Sequence, residues 1–432
     1  MARVASGLSE SGRVHPTTVH VLGTALFALA ILHTFATSFF EHLAHSRPTH
    51  AGLWHLLGEV EVVFGFWASI LIMAMFVTDG AVAATHYLDS RNFTEPMFVF
   101  VVMVIAGTRP ILYMALFAVR VLSGVLPVSR PIAFYFVVLT LLPLLGSFLT
   151  EPAAMTLAAI LLRDRFFRHG LSSRLGYVTL GVLLVNVSIG GTLTPFAAPP
   201  VLMVAGTWGW DLSFMVLTFG WKAAIAVLAN ALLTTILFRN EIRTLSSDVE
   251  SASGEKLPLG IIAFHLLLLI GVVIFAHHPA MFLGLFLLFL GVTQAYERHQ
   301  DQLIIREGLL VALFLAGLVV LGGQQEWWLQ PFLISMSNEE VFFGATILTA
   351  FTDNAALTYL GSLVEGLSEG FKYALVAGAV TGGGLTIIAN APNPAGLTIL
   401  RGHFPDETVH PVGLFIAALP PTIVAALAFR FL

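Results

Sequence analysis

The chain has 432 residues, of which 57% are hydrophobic and only 10% are charged. A typical soluble domain has about 25% charged residues, so this composition excludes a soluble enzyme, a disordered protein and a nucleic-acid binder. The absence of cysteine excludes disulfides, zinc–thiolate sites and cysteine nucleophiles. At about 20 residues per membrane span, the length accommodates roughly ten spans. We therefore expect an all-α polytopic membrane protein that lies in a lipid bilayer.

Apolar stretches long enough to cross a membrane recur along the whole chain. The uninterrupted stretches are 17–40, 56–85, 97–122, 211–238, 259–276, 279–296, 304–322 and 410–431. Regions 176–207 and 371–400 are also apolar but contain glycines and prolines at their centres. Glycine permits backbone conformations closed to other residues and proline removes a backbone donor, so these two regions predict broken spans.

Two further apolar regions, 131–166 and 339–366, are each interrupted by a polar tripeptide. Each is much longer than the roughly 20 residues that one crossing needs. We therefore expect re-entrant hairpins, which enter the membrane, turn and leave on the same side. Such turns are tolerated where they are buried in protein or line a water-filled cavity.

The longest polar segment, 239–258, divides the chain into halves of similar element order, 1–238 and 259–432. Arginines and lysines are concentrated in this segment and around the first hairpin. Because cytoplasmic loops carry an excess of basic residues, the segment is predicted to be a cytoplasmic linker.

Two motifs recur in the same order in both halves. Residues 150–156 (TEPAAMT) align with 352–358 (TDNAALT) at the hairpin breaks, and 190–194 (GGTLT) align with 382–386 (GGGLT) in the broken spans. Self-similarity of this kind indicates an internal repeat. Five crossings per half is an odd number and a hairpin adds none, so the second half is expected to be inverted relative to the first.

The hairpin turns and helix breaks supply groups that bind ions. Exposed carbonyls and helix C-termini attract cations, and helix N-termini attract anions. Asp353 and Glu151 are the strongest candidates, because an ionisable group within a span is by default a functional hypothesis. The predicted sodium-binding and coupling residues are Asp353, Asn354, Thr352, Glu151, Thr150, Gly191, Thr192, Thr194, Gly383, Gly384, Thr386 and Asn390.

Two cations also fall within predicted spans. Arg109 lies in 97–122 and Lys222 in 211–238. Each is a candidate partner for a buried carboxylate, in either a structural ion pair or the transport machinery. Glu59, Glu61 and Asp79 lie near the ends of the second span and are expected at the membrane interface.

At these motifs the sequence resembles the ion transporter superfamily of NhaD-type sodium/proton antiporters, arsenite permeases (ArsB-like) and divalent-anion/sodium symporters. Residues 351–358 resemble the Asp-Asn hairpin of the antiporter branch, and 382–391 resemble its glycine-rich broken helix. The sequence also resembles a bacterial family of sodium/proton antiporters. The resemblance implies a homodimeric, multi-pass inner-membrane carrier of the elevator type, with a fixed scaffold and a moving transport domain. The first hairpin departs from the pattern, with Glu151-Pro152 where Asp-Asn is common.

The leading functional prediction is a secondary active transporter that exchanges Na⁺ for H⁺, with no resident cofactor. The alternative is an anion or oxyacid permease of the arsenite type, or a sodium-coupled anion symporter, with Arg109 and Lys222 as substrate ligands. An intramembrane enzyme is disfavoured because no His-Glu-x-x-His or Gly-x-Ser-x-Gly motif occurs. A channel would not require a repeated pair of broken helices.

Overall fold

The computed structural model describes residues 16–245 and 257–432, and within those ranges the regular structure is entirely helical. The helices before the polar segment are α1 (Thr18–Thr34), α2 (Thr37–Ser46), α3 (Ala51–Gly58), α4 (Val60–Thr78), α5 (Ala81–Asp89), α6 (Thr94–Ala106), α7 (Arg109–Val125), α8 (Arg130–Leu149), α9 (Glu151–Arg165), α10 (Ser173–Gly190), α11 (Pro199–Trp208), α12 (Leu212–Met215), α13 (Trp221–Leu237) and α14 (Arg239–Thr244).

The helices after it are α15 (Leu259–Ile274), α16 (Pro279–Ala295), α17 (Ile305–Gly322), α18 (Glu326–Ile334), α19 (Asn338–Thr349), α20 (Asn354–Ser362), α21 (Glu369–Gly382), α22 (Asn393–Leu400) and α23 (Pro411–Phe431). A π-helical turn (Val216–Gly220) joins α12 to α13, and a 3₁₀ turn (Gly191–Leu193) follows α10. Further 3₁₀ turns lie at Pro48–His50, Phe167–His169, Glu297–His299, Arg401–His403 and Pro405–Glu407.

Six helical segments of the described chain are long and apolar enough to cross a membrane. They are Val60–Thr78, Arg130–Leu149, Ser173–Leu193, Leu212–Leu237, Ile305–Gly322 and Pro411–Phe431. The bent pair α6–α7 would make a seventh, and α1, α15 and α16 are shorter apolar helices. The predicted all-α class is therefore found, whereas the count of about ten spans stays a prediction. The Arg130–Leu149 segment belongs to the first expected re-entrant hairpin, although it is long enough to cross by itself.

Three predicted spans differ from the structure. The 56–85 stretch is interrupted at Glu59 and at Asp79–Gly80, so that α4 alone is its continuous helix. The 17–40 stretch is interrupted at Phe35 and Ala36, between α1 and α2. The 97–122 stretch bends by 66° between α6 and α7. Pro110 is in the first turn of α7, where its missing amide hydrogen costs nothing, and it cannot continue a preceding helix. Arg109 therefore begins a helix instead of lying at the middle of one.

The predicted linker, 239–258, begins with the short helix α14, and its residues 246–256 lie outside the described ranges. Its cytoplasmic position therefore stays a prediction. Both hairpins and both broken spans have helix ends where the glycine, proline and polar motifs predicted them. The turn between α8 and α9 is at Thr150, and the turn between α19 and α20 spans 350–353.

The two halves pack against each other reciprocally around the breaks. In the first hairpin, α9 packs against α22, the second part of the other half's broken span. In the second hairpin, α20 packs against α11, the second part of the first half's broken span. Helix α10 contacts both α21 and α22. A separate group of packed helices surrounds α17, which contacts α1, α4 and α6. The two helix breaks, one from each half of the sequence, therefore lie close together in the folded chain.

Candidate functional site

Glu151 is the first residue of α9 and is fully buried. The preceding residue, Thr150, has a φ of 91°, a conformation that side-chain-bearing residues rarely adopt. The Oε2 atom of Glu151 accepts a hydrogen bond of 2.7 Å from the Nδ2 atom of Asn390. Its Oε1 atom has no hydrogen-bond partner among the described residues. The first hairpin thus presents a buried carboxylate with one free oxygen.

The first helix break is fastened to the first hairpin by Ser147. The Ser147 hydroxyl donates to the Gly190 carbonyl at 2.7 Å and accepts from the Leu193 amide at 2.9 Å. The hydroxyl of Thr194 donates in turn to the Ser147 carbonyl. The Thr192 hydroxyl bonds to the Ile189 carbonyl, within its own turn. Both threonine hydroxyls therefore donate to backbone carbonyls and stabilise the conformation of the break.

Gly191 lies directly against Glu151. A Cβ atom at this position would come within 2.9 Å of the Glu151 Cγ atom and would overlap its Oε1 atom. Only glycine therefore lets the carboxylate of α9 approach the break this closely. Gly191 thus brings the glycine-rich motif of the first half into contact with the hairpin motif of the same half.

Asp353 is the N-cap residue of α20. Its Oδ1 atom accepts from the backbone amides of Ala355 at 2.8 Å and Ala356 at 3.4 Å. Capping satisfies amides that have no partner inside the helix. The Thr352 hydroxyl donates to the Leu348 carbonyl at 3.1 Å, back toward α19. Asp353, and not Thr352, therefore caps this helix.

Asn354 is fully buried, and both polar atoms of its side chain lack a partner among the described residues. Its backbone amide donates to the Ala389 carbonyl at 3.1 Å. A Cβ atom on Gly383 would lie 2.8 Å from the Asn354 Nδ2 atom and would overlap the hydroxyl of Ser188. Ser188 donates to the Val380 carbonyl at 2.7 Å, joining α10 to α21. Buried amide atoms without partners are costly unless something else binds them.

Asn393 stabilises the second break. Its Nδ2 atom donates to the carbonyls of Gly383 and Thr386, each at 2.8 Å. The Thr386 hydroxyl donates to the Ala350 carbonyl at 2.9 Å, which fastens this break to the second hairpin. Gly384 allows close approach of the Val185 backbone in α10. The Oδ1 atoms of Asn390 and Asn393 are buried and have no partner in the described chain.

Two small cavities meet at Asp353. One of about 20 Å³ is lined by Glu61, Asp353 and Asn390 together with apolar side chains. The other, of about 40 Å³, is lined by Thr34, Thr352, Asp353 and further apolar residues. Asn390 therefore contacts the Asp353 cavity and also donates to Glu151. Asn390 therefore belongs to the surroundings of both predicted carboxylates.

The candidate cations form no ion pair with these carboxylates in the described part of the chain. The Lys222 Nζ atom donates to the Tyr373 hydroxyl at 2.9 Å, and Tyr373 donates to the Phe429 carbonyl. Lys222 also lies over the Tyr373 ring, 4.6 Å from its centroid. Neither Lys222 nor Arg109 forms an ion pair with a carboxylate within residues 16–245 and 257–432.

Sequence reasoning missed four residues at this site: Ser147, Ser188, Asn393 and Glu61. Ser188 and Asn393 lie beside the recognised glycine and proline motifs, and their polarity in apolar segments was the available signal. Ser147 and Glu61 act through contacts with distant segments. Glu61 was expected at the membrane interface, which stays a prediction, and the structure adds that it lines the Asp353 cavity.

Comparison with known families gives one match that covers nearly the whole chain. The model of the family described as "Putative Na+/H+ antiporter" matches residues 18–432. No curated protein matches the chain.

Proposed function

Because the chain belongs to the family described as "Putative Na+/H+ antiporter", we propose that it exchanges Na⁺ for H⁺ by secondary active transport. It is a multi-pass membrane protein, with apolar helices long enough to cross a bilayer. Asp353 and Glu151 are proposed as the coupling carboxylates. The observation that carries this assignment is their convergence on Asn390, one through a shared cavity and one through a hydrogen bond.

A buried carboxylate can serve both ions. Removal from water favours the neutral, protonated form, whereas a nearby cation favours the charged form. A proton and a Na⁺ ion therefore compete for the same group, which is the minimum requirement for exchange. Because Asn390 bonds to Glu151 and lines the Asp353 cavity, the binding of an ion at one carboxylate can influence the other.

Neutral oxygen ligands are available around the carboxylates. The buried Oδ1 atoms of Asn354 and Asn390 have no partner among the described residues. Amide and carbonyl oxygens are suited to hard cations, and an ion would compensate for the missing hydrogen bonds. The predicted sodium sites at Asp353 and Glu151 therefore have suitable neighbours in Asn354 and Asn390.

The reciprocal packing supports the proposal of an inverted-topology repeat. Each hairpin packs its second helix on the broken span of the opposite half, as expected if one half repeats the other about a twofold axis. In the proposed elevator mechanism, α8–α11 and α19–α22 move together against a scaffold that contains α1, α4, α6 and α17. The resemblance to the ion transporter superfamily also implies a homodimer in the inner membrane, and the proposal includes it.

A proton-flux assay tests this function. Everted membrane vesicles carrying the protein would be energised to an acidic interior, and Na⁺, Li⁺, K⁺ and arsenite would be added in turn while a pH-sensitive dye is followed. We expect Na⁺ to release the proton gradient and arsenite to have no effect. Transport of arsenite without any Na⁺-dependent proton release would contradict the antiporter proposal and favour the permease alternative.

A further inference from the structure

Glu61 lies in the first turn of α4, outside both hairpins and both broken spans. It lines the same cavity as Asp353 and Asn390, and the rest of that cavity wall is apolar. The cavity volume of about 20 Å³ suffices for one water molecule or one ion of similar size. Three polar residues from three separate segments therefore line one ion-sized space.

Glu61 differs from its neighbour Glu59 in its partners. Glu59 forms an ion pair with Arg306 at the start of α17. Glu61 forms no ion pair in the described part of the chain. It is also less exposed than a surface residue, being half-buried. The nearby basic charge of Arg306 is thus already paired with Glu59.

A second observation points to a ligand in this space. Asn390 is only 1% exposed and forms part of the cavity wall. Its Oδ1 atom is buried with no hydrogen-bond partner among the described residues. A buried amide oxygen without a partner is costly, and two neighbouring carboxylates repel each other unless a cation or a proton lies between them.

We propose that Glu61 is a third ion-contacting carboxylate, which binds the transported Na⁺ together with Asp353 and Asn390. This inference rests on the proposed exchange function and adds a ligand from the α4–α17 helix group. Because α4 is on the proposed scaffold side and Asp353 is on a hairpin, the three-residue arrangement exists only when these two parts are in contact as they are here. Glu61 would then bind the ion in one of the two alternating conformations.

Equilibrium binding of ²²Na⁺ to the purified full-length protein tests the proposal. Glu61→Gln keeps the size of the side chain and removes its charge. We expect it to raise the half-saturating Na⁺ concentration by about tenfold, because a charge-assisted contact is lost. Glu59→Gln is the matched control, since it removes a carboxylate two residues away that is paired with Arg306, and it should bind Na⁺ like the wild type.

Glu61→Asp keeps the charge on a shorter side chain and is expected to give an intermediate Na⁺ affinity. If Glu61→Gln fails to elute as a folded protein in size-exclusion chromatography, the Na⁺ affinity of Glu61→Asp is used in its place to test the role of Glu61. Unchanged Na⁺ affinity in a folded Glu61→Gln protein, or wild-type affinity in Glu61→Asp when Glu61→Gln does not fold, would overturn the role of Glu61. Absence of Na⁺ binding by the wild type would overturn it as well. If the wild type binds Na⁺ without exchanging it for protons, the exchange function fails while the comparison of variants still tests Glu61.

Discussion

The Nδ2 atom of Asn390 donates to the Oε2 atom of Glu151, which lies 239 positions earlier in the chain, at a distance of 2.7 Å. Glu151 begins the return helix of the first hairpin, and Asn390 lies in the break of the second half. The contact joins the least regular segments of the two halves, and both side chains are buried. A substitution at either residue should therefore affect both predicted ion sites.

Asp353→Asn is expected to fold and to lose Na⁺/H⁺ exchange. Asparagine can still cap α20 but cannot ionise, so capping and coupling are separated. The measurement is Na⁺-dependent dequenching of a pH dye in vesicles at matched expression. Asp211 caps α12 in the same way, accepting from the Phe214 amide at 2.7 Å, so Asp211→Asn is the control and should exchange normally. Exchange retained by Asp353→Asn at any pH from about 6 to 9 would remove this residue from the mechanism.

Glu151→Gln is expected to impair exchange as severely as Asp353→Asn if both carboxylates are coupled. Glu-Pro in place of Asp-Asn raises the alternative of a degenerate first site, and in that case the loss would be mild. The bond itself is measured by a double-mutant cycle of Glu151→Ala with Asn390→Ala, because glutamine at position 151 could still accept from Asn390. We expect a coupling energy of about 1 to 3 kcal/mol in unfolding free energy, because the bond is buried and involves an ionisable group. Additive effects on both stability and transport would show that the Glu151–Asn390 bond is unimportant.

Gly191→Val and Gly383→Val are expected to abolish exchange while costing about 1 to 3 kcal/mol of stability through overpacking. A side chain at Gly191 would displace the Glu151 carboxylate, and one at Gly383 would displace Ser188 and Asn354. Gly284 in α16 has open space around its missing side chain, so Gly284→Val is the control for a branched residue in a helix. Normal transport by Gly383→Val would mean that these glycines are only spacers.

Thr150→Gly is expected to be more stable than Thr150→Ala by about 1 kcal/mol. Both variants lack the threonine side chain, but only glycine adopts the positive φ of this turn without strain. At Thr352, which is not among the positive-φ residues, alanine should be at least as stable as glycine. Thermal unfolding of the four variants in detergent provides the comparison. Equal midpoints for the two Thr150 variants would show that the first turn relaxes around its strained residue.

Lys222→Gln tests the anion-transport alternative. Glutamine can still donate to the Tyr373 hydroxyl, so the contact of α13 with Tyr373 and its packing on α23 should be kept while the charge is removed. We expect Na⁺/H⁺ exchange close to that of the wild type, and the same for Arg109→Gln. Loss of transport in the charge-free variants, with normal expression, would instead assign these cations to an anionic substrate.

The sequence predicted most of the helix ends around the site because local chemistry determines them. Pro152 in the first turn of α9, the cap at Asp353 and the run Gly382–Gly384 each act on their own backbone. The interruption of 17–40 at Phe35 was missed since neither Phe35 nor Ala36 is a helix breaker. The bend after α6 had a visible signal in Gly107 and Pro110, which the overall hydrophobicity of 97–122 obscured.

The composition of the site was harder to predict than its backbone. Asp353 and Glu151 could be selected because a carboxylate in an apolar segment is unusual. Glu61 is near the end of its helix, where a charge is ordinary, and the cavity that it shares with Asp353 in the folded chain distinguishes it from the ion-paired Glu59. Ser147 likewise gains its role from contacts with Gly190 and Leu193. These residues are distant in the sequence, so the residues next to Ser147 do not predict the contacts.

The reciprocal packing of the hairpins has a consequence for how the protein is made. At a synthesis rate of about 5 to 20 residues per second, Asn390 leaves the ribosome roughly 10 to 50 s after Glu151, because 239 positions separate them. Throughout that interval α9 lacks its packing partner α22. The first half must therefore wait in the membrane with an acidic group and an open helix surface. Insertion factors and quality-control proteases can reach this open surface until α22 is made.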